Sequence, residues 1–276
     1  MKKKYLSFPY MIWSLVFIIV PLILILYFSI TEKVDGRTVF TLKHFLEFFD
    51  FKNNSYYLVL LRSLKLAFYC TVICLLIGYP TAYFLSKLKP GMRNFLILLM
   101  VLPMWMNFLL RTYAWLTLLE GTGVINSFLK AIGFDGINFL GKESSVVFGM
   151  VYNYLPYMVF PIYSSVSKIP SSLIEASQDL GGSELYCFRK VILPLSIPGI
   201  VSGITMVFVP GVTTFVISQF LGSGNVTLIG DIIERQFTKA SNWGFGAAIS
   251  IIVMIVVFIC MWAVNKFADD EEVTLL

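Results

Sequence analysis

Apolar residues in this chain come in long blocks instead of alternating with polar ones. Residues 5–31 carry no Asp, Glu, Lys or Arg, and further charge-free runs cover 66–86, 94–110, 144–167, 191–230 and 240–265. A helix crossing about 30 Å of hydrocarbon needs about 20 mostly apolar residues, so every run except 94–110 is long enough for one span. The 94–110 run is short, but beyond Arg111 the apolar pattern resumes over Thr112–Leu119, which predicts one tilted span with the arginine near an end. The second half of the 191–230 run, with Gly222, Ser223, Gly224, Asn225 and Gly230, is too polar and glycine-rich for lipid, so that run is expected to hold one span. Barrel strands would alternate polar and apolar positions over about 10 residues, and these runs do not. The pattern predicts an all-α membrane protein with six transmembrane helices.

Composition agrees. Of 276 residues, 58% are hydrophobic and 13% charged, against roughly a quarter charged in a soluble domain, and the mean hydropathy is +0.82. Lys2, Lys3 and Lys4 before the first run give it the look of a signal peptide. The run is too long for one and no A-x-A site follows, so it is read as a retained span.

An even number of spans puts both termini on one side. That side collects Lys2, Lys3, Lys4, Lys87, Lys89, Arg93, Lys168, Arg189, Lys190 and Lys266, ten of 21 basic residues in about 48 positions, while the other 11 are spread over about 77. The higher density predicts cytoplasmic termini, and the net charge of +5 is read as orientation and not as nucleic-acid binding. The outer loops then run about 32–61, 120–143 and 222–239. Within the first, Phe40–Phe49 has apolar residues at helical spacing, which fits a short helix on the membrane surface or one packed against the spans. Three regions follow: residues 1–61 with the first span and outer loop, a permease-like domain over 62–266, and an acidic cytoplasmic tail over 267–276 containing Asp269, Asp270, Glu271 and Glu272. Pro80, Pro103, Pro156, Pro161 and Pro210 fall inside predicted spans and are expected to kink them.

Catalytic chemistry is hard to assemble. There is no G-x-x-x-x-G-K-[ST] to cradle nucleotide phosphates, His44 is the only histidine, and Cys70, Cys74, Cys187 and Cys260 form no C-x-x-C and are expected to be free thiols. No catalytic residue, metal or cofactor is expected.

The informative segment is Lys168–Pro194, on the inner side between the fourth and fifth spans. Ser172 and Glu175 have capping-box spacing, Gly181-Gly182 can end that helix, and Ser183 can cap a second helix running past Leu185 and Phe188 to Pro194. A helix–Gly–helix knob is predicted. Glu175-Ala176-Ser177, three residues, Gly181, nine residues, then Val191-Ile192-Leu193-Pro194 resembles the E-A-A, three residues, G, nine residues, I-x-L-P loop of type I ABC importer permeases. Ser177 and Val191 are the two departures. The likeness covers nearly the whole chain, most clearly residues 60–266. Within the family it is strongest for spermidine/putrescine permeases, carried by Gly78-Tyr79-Pro80, Pro103 through Tyr113, Tyr163-Ser164-Ser165, Ile229-Gly230, Gln236-Phe237 and Trp243 through Ala248.

The resemblance implies a multi-pass subunit of a bacterial cytoplasmic membrane that hydrolyses no ATP itself. It implies an ABC ATPase dimer, a second homologous permease and an extracytoplasmic polyamine-binding protein as partners, with Glu175, Ala176, Ser177, Asp179, Leu180, Gly181 and Pro194 forming the ATPase-coupling loop. A polyamine path needs carboxylates and aromatic faces in place of water. The candidates are Glu120, Asp231 and Glu234 with Trp105, Tyr113, Tyr152, Tyr154 and Tyr157, although solvated loop charges and interfacial aromatics account for the same residues. Arg111, which would repel a polyamine, is expected to be an outer anchor or a packing group.

Overall fold

The computed structural model describes residues 8–34, 37–49 and 56–274; Lys2, Lys3 and Lys4 lie outside the described residues. The first span, α1, comprises Phe8–Ser14, a π-turn at Leu15–Ile19 and Val20–Ser29. A short antiparallel hairpin follows, β1 (Thr31–Val34) against β2 (Arg37–Phe40), with Thr31 opposite Phe40. Sequence reading did not anticipate it, although Asp35-Gly36 between Thr- and Val-rich flanks is a hairpin signal. After it come α2 (Lys43–Phe48), α3 (Tyr56–Lys87), α4 (Pro90–Trp105), α5 (Phe108–Leu119), α6 (Val124–Ala131) and α7 (Glu143–Val166). The remainder is α8 (Ser171–Asp179), α9 (Glu184–Cys187, a π-turn at Phe188–Ile192, and Leu193–Leu195), α10 (Ile197–Thr213), α11 (Val216–Leu221), α12 (Ile229–Thr238) and α13 (Trp243–Thr274).

Among the described residues, four helices are long and apolar enough to cross a membrane: Tyr10–Ser29 of α1, all of α3 and α7, and Trp243–Lys266 of α13. Two bent pairs bring the number up to six. One pair, Pro90–Trp105 with Phe108–Ala131, turns by 93°, so the expected tilted stretch is broken in the middle instead of running straight. Met106 and Asn107 are extended, and Asn107 Oδ1 accepts the amides of Leu109 at 2.8 Å and Leu110 at 3.4 Å. That side-chain cap starts a new helix, so the Thr112–Leu119 continuation takes its own direction. The second pair, Glu184–Leu195 with Ile197–Thr213, bends by 61° at Ser196.

The core is a three-helix contact of α3, α7 and α10 that buries Leu66, Cys70, Cys74, Met150, Met158 and Val207. Apolar attraction between helices is weak in lipid, so close backbone approach has to supply the packing. Gly203 provides it: a Cβ there would stand 2.7 Å from Met158 Sδ. A second cluster, with Phe48, Phe208, Phe245 and Ile249, joins α2 and α13 to this core. Of the two sequence alternatives for α2, packing against the spans is therefore the one found. Phe48 is 1% exposed and His44 5%, although Leu42 and Leu46 still face outward. The backbone of α13 stays helical to Thr274, so most of the acidic tail continues the last helix.

Glu143 on α7 reaches Lys65 at 2.7 Å and Arg62 at 3.6 Å on α3, so these two helices start at the same end of the molecule. Tyr56 of α3 packs edge-on against Phe245 of α13 at 5.0 Å, which places the start of α13 at that end too. The segment between α7 and α10 sits at the opposite end.

Candidate functional site

The 168–194 segment folds as a knob. α8 closes with a Schellman arrangement: Gly182 N–H donates to Ser177 O at 3.0 Å and Gly181 N–H to Gln178 O at 2.8 Å. This requires the left-handed φ of +84° that Gly181 adopts. Ser183 Oγ accepts Tyr186 N–H at 3.2 Å and caps α9, as expected from its position. The capping box does not form. α8 begins at Ser171 with Pro170 as its cap residue and no side-chain cap bond, so Ser172 and Glu175 both lie inside the helix. Pro170 is extended, with φ −61° and ψ 134°, and the helix starts at Ser171, one residue ahead of Ser172.

The knob is anchored at its base and bare at its tip. Cys187, 2% exposed, places Sγ 3.2 Å from Ser177 Oγ and ties α9 to α8. Phe188 meets the rings of Tyr79 and Tyr83 on α3 edge-on, at 5.7 and 5.6 Å. Leu180 is 90% exposed, and Leu173, Leu185 and Tyr186 are also open to solvent. Among the expected coupling residues, Glu175, Ala176 and Asp179 lie on the exposed surface of α8, Ser177 is half-buried, and Gly181 lies at the tip beside Leu180. Pro194 sits apart, in the last turn of α9, just after the π-turn in which Leu193 N–H bonds back to Phe188 O. An open groove of about 650 Å³ runs past Ala176, Leu180, Gly181, Tyr186 and Lys190. The arrangement offers a contact surface of mixed apolar and polar side chains, fixed to α3, α7 and α10.

The residues expected to line a polyamine path are scattered except for one pair. Asp231 and Glu234 lie one turn apart on α12. Asp231 Oδ2 accepts Leu228 N–H at 2.8 Å and so caps α12, while Oδ1 is buried with no partner among the described residues. Burial pushes its carboxyl above the usual aspartate range, partly offset by the Leu228 amide. Glu234 accepts from Thr238 Oγ1 at 2.9 Å and Gln219 Nε2 at 3.4 Å. It also borders an apolar groove of about 580 Å³ lined by Val209, Phe215, Met254 and Phe258. Glu120 ends α5, exposed, and its carbonyl takes Asn126 Nδ2 at 2.9 Å. Trp105 is 78% exposed at the end of α4. On α7, Tyr152 packs edge-on to Trp115 at 5.2 Å, whereas Tyr157 opens on another face beside Lys168 and Met206. Tyr154 is buried, and Tyr113 pairs with Phe220 at 6.0 Å. Arg111 is a packing group: it is 7% exposed, and its guanidinium lies 5.9 Å from the Phe108 ring centre. The four cysteines are free thiols. No group of three His, Cys, Asp or Glu that could hold a metal occurs among the described residues.

Sequence reasoning missed the contacts that lock the knob and α12 to α3. Tyr79 Oη lies 2.9 Å from Ser196 Oγ, and Ser63 Oγ accepts Ile229 N–H at 2.8 Å, pinning the start of α12. Each links residues more than 100 positions apart, and an unpaired tyrosine or serine carries no local signal for such a bond.

A family model described as "Binding-protein-dependent transport system inner membrane component" matches residues 74–270. The chain is 37% identical over 267 residues to the spermidine/putrescine transport system permease protein PotB of Escherichia coli K12, covering 94% of this chain and 96% of that one. It is 36% identical to the protein of the same description from Haemophilus influenzae, over 94% and 92% of the two chains. Among solved structures it resembles a bacterial alginate ABC transporter in complex with an alginate-pentasaccharide-bound periplasmic protein, with a TM-score of 0.77 at 18% identity, covering 98% of this chain and 94% of that one. At that identity the likeness speaks for the fold alone.

Proposed function

The chain belongs to the family of binding-protein-dependent transport system inner membrane components, and from that premise we propose that it is the permease subunit of an ATP-driven polyamine importer, with the 168–194 knob as its coupling element. The carrying observation is the contrast within the knob: a tip with Leu180 90% exposed on a base locked by Cys187, Phe188 and Ser196. An exposed apolar side chain on a rigid mount suits a groove in a partner. The partner is an ATPase dimer that closes on ATP, since this chain has no phosphate-binding loop.

In this proposal the knob transmits motion as a rigid lever. α8 follows α7 after four residues, α9 runs into α10 across the bend at Ser196, and Phe188 wedges against α3. Displacement of the tip is then carried to all three core helices together. Two arrangements of the core that bind ATP-closed and ATP-open partners differently are enough for alternating access. A second, homologous permease completes the pathway, and an extracytoplasmic binding protein delivers the solute. Both termini are cytoplasmic, 62–266 forms the transport domain, and 267–276 projects into the cytoplasm.

The polyamine assignment is supported by what the similar permeases are named for and by the carboxylates of Asp231 and Glu234 beside an apolar groove. Together these suit an ammonium joined to a methylene chain. Trp105, Tyr152, Tyr157 and Glu120 complete the proposed path. The test is reconstitution of the chain with its ATPase, second permease and binding protein in proteoliposomes. ATP-dependent uptake of labelled spermidine, competed by putrescine and not by sulfate, molybdate or thiamine, is expected. Competition by an anion alone would overturn the substrate and leave the permease role standing, whereas uptake driven by an ion gradient without the ATPase would overturn the whole proposal.

A further inference from the structure

At the end of the molecule opposite the knob, a cavity of about 500 Å³ lies between the end of α1, the hairpin, α2 and the first turn of α13. Neither coupling nor the proposed polyamine path uses it. Its wall mixes charges with aromatic faces: Glu32, Lys43, Glu47, Tyr27 and Trp243. Lys43 Nζ and Glu32 Oε1 satisfy one another at 2.8 Å, so Glu47 leaves the cavity with net negative charge on that side.

His44 borders the same cavity and is 5% exposed, yet neither ring nitrogen has a hydrogen-bond partner among the described residues. A neutral imidazole carries one donor and one acceptor, and leaving both unmade in a buried place is costly. The ring rests on the backbone of Gly244, so closely that no β-carbon fits there. Gly244 belongs to the first turn of the 32-residue α13. In that turn Asn242 takes the amides of Phe245, through Oδ1 at 3.2 Å, and Gly246, through its carbonyl at 3.0 Å. The amides of Trp243 and Gly244 have no acceptor among the described residues. One wall therefore offers N–H donors and the positive end of a long helix, which favour an anion. The facing wall offers a carboxylate and two rings, which favour a cation.

A free anion would be repelled by Glu47 and a free diamine by the helix end, whereas a molecule carrying phosphate and ammonium one short linker apart satisfies both walls. The surroundings identify its source. Phe40, Leu42 and Leu46, in and between the hairpin and α2 that help wall the cavity, are exposed, and α1 exposes Ile23 and Leu26 along the face that would lie in hydrocarbon. We propose that this cavity binds the headgroup of an aminophospholipid. Its phosphate lies against the Trp243 and Gly244 amides and His44, its ammonium against Glu47 with Tyr27 and Trp243, and its acyl chains run down α1. This inference rests on membrane embedding and not on the polyamine assignment.

The test uses the complete transporter, stripped of lipid in detergent and titrated with phosphatidylethanolamine, phosphatidylcholine or phosphatidylglycerol, with bound lipid counted by native mass spectrometry. Phosphatidylethanolamine should bind about tenfold more tightly than the other two, and His44→Phe and Glu47→Gln should each weaken it by about tenfold, the loss of one charge-assisted hydrogen bond. Glu47 is half-exposed, so Glu47→Gln keeps the test open if His44→Phe fails to assemble. Equal binding of the three lipids, or undiminished phosphatidylethanolamine binding in Glu47→Gln, would overturn the proposal. So would displacement of the lipid by soluble glycerophosphoethanolamine or by spermidine, which would make this a solute site.

Discussion

Tyr79 donates its hydroxyl to Ser196 Oγ at 2.9 Å, a buried bond spanning 117 positions between α3 and the hinge that leads from α9 into α10. The direction follows from the second bond of Ser196, whose own hydroxyl donates to Leu193 O at 2.8 Å. The same Tyr79 ring receives Phe188 edge-on, so one residue holds both the knob and the 61° bend.

Tyr79→Phe keeps the ring and removes the bond. A net loss of about 1 kcal/mol is expected, typical for one intramolecular hydrogen bond. Phe188→Ala should cost more, about 2 kcal/mol, roughly half the penalty of emptying a fully buried aromatic site. Thermal unfolding of the purified chain measures the first effect against the second. If the bond fixes the lever, Tyr79→Phe should also lower uptake per ATP hydrolysed, while unchanged coupling would limit Tyr79 to a packing role.

Gly181 and Ser183 separate backbone strain from capping. At φ +84° a β-carbon costs about 1 kcal/mol, but it would meet nothing within 4 Å. Gly181→Ala should therefore fold with that modest loss, and Gly181→Val should fold yet fail to associate with the ATPase because the added bulk enters the contact surface. Ser183→Ala removes the Tyr186 cap and should cost about 0.5–2 kcal/mol with less effect on association. Co-purified ATPase and membrane abundance distinguish them. Normal ATPase binding and uptake in Gly181→Val would show that the tip is not the docking surface.

Asp231 gives a pH dependence whose sign is fixed. Burial raises its folded pKa above the unfolded value, so the folded state holds the proton more tightly. The contribution to stability is present below the unfolded pKa and is lost as pH rises through the folded one. Asp231→Asn keeps an oxygen for the Leu228 amide and removes the buried charge. Its thermal stability should match wild type in mild acid and equal or exceed it near neutral pH, while spermidine uptake falls if the carboxylate serves the cation path. A variant less stable than wild type at neutral pH and more stable in acid would reverse this sign.

The elements legible in the sequence were those whose cause is local. Five of the six spans follow from runs without charge, and the close of α8 follows from a glycine pair at a place where only positive φ continues the chain. Asn107 was equally local but was hidden by the apolar residues around it, so the cap that breaks the stretch from Pro90 to Leu119 read as lipid-facing sequence. The Ser172 cap failed for the opposite reason, because Pro170 two residues upstream takes the cap position. What was not legible is pairwise. Tyr79 with Ser196, Ser63 with Ile229, and His44 on Gly244 each need two distant positions at once, and neither member differs in type from many unpaired residues of the same chain.

Leu180 gives the most direct test of the knob. It is 90% exposed beside Gly181, so its side chain makes almost no contact within the chain, and surface substitutions of that kind change stability by within about 0.5 kcal/mol. A leucine that docks in an apolar groove contributes on the order of 2 kcal/mol to binding, which corresponds to roughly thirtyfold in affinity. Leu180→Ser should therefore leave thermal unfolding and membrane abundance unchanged while reducing co-purified ATPase by more than tenfold and abolishing ATP-driven uptake. Leu180→Met, similar in volume and more flexible, should restore most of both. Stability and association move independently here only if the residue acts through a partner. Leu180→Ser with full ATPase binding and normal uptake would place the coupling surface elsewhere on the chain.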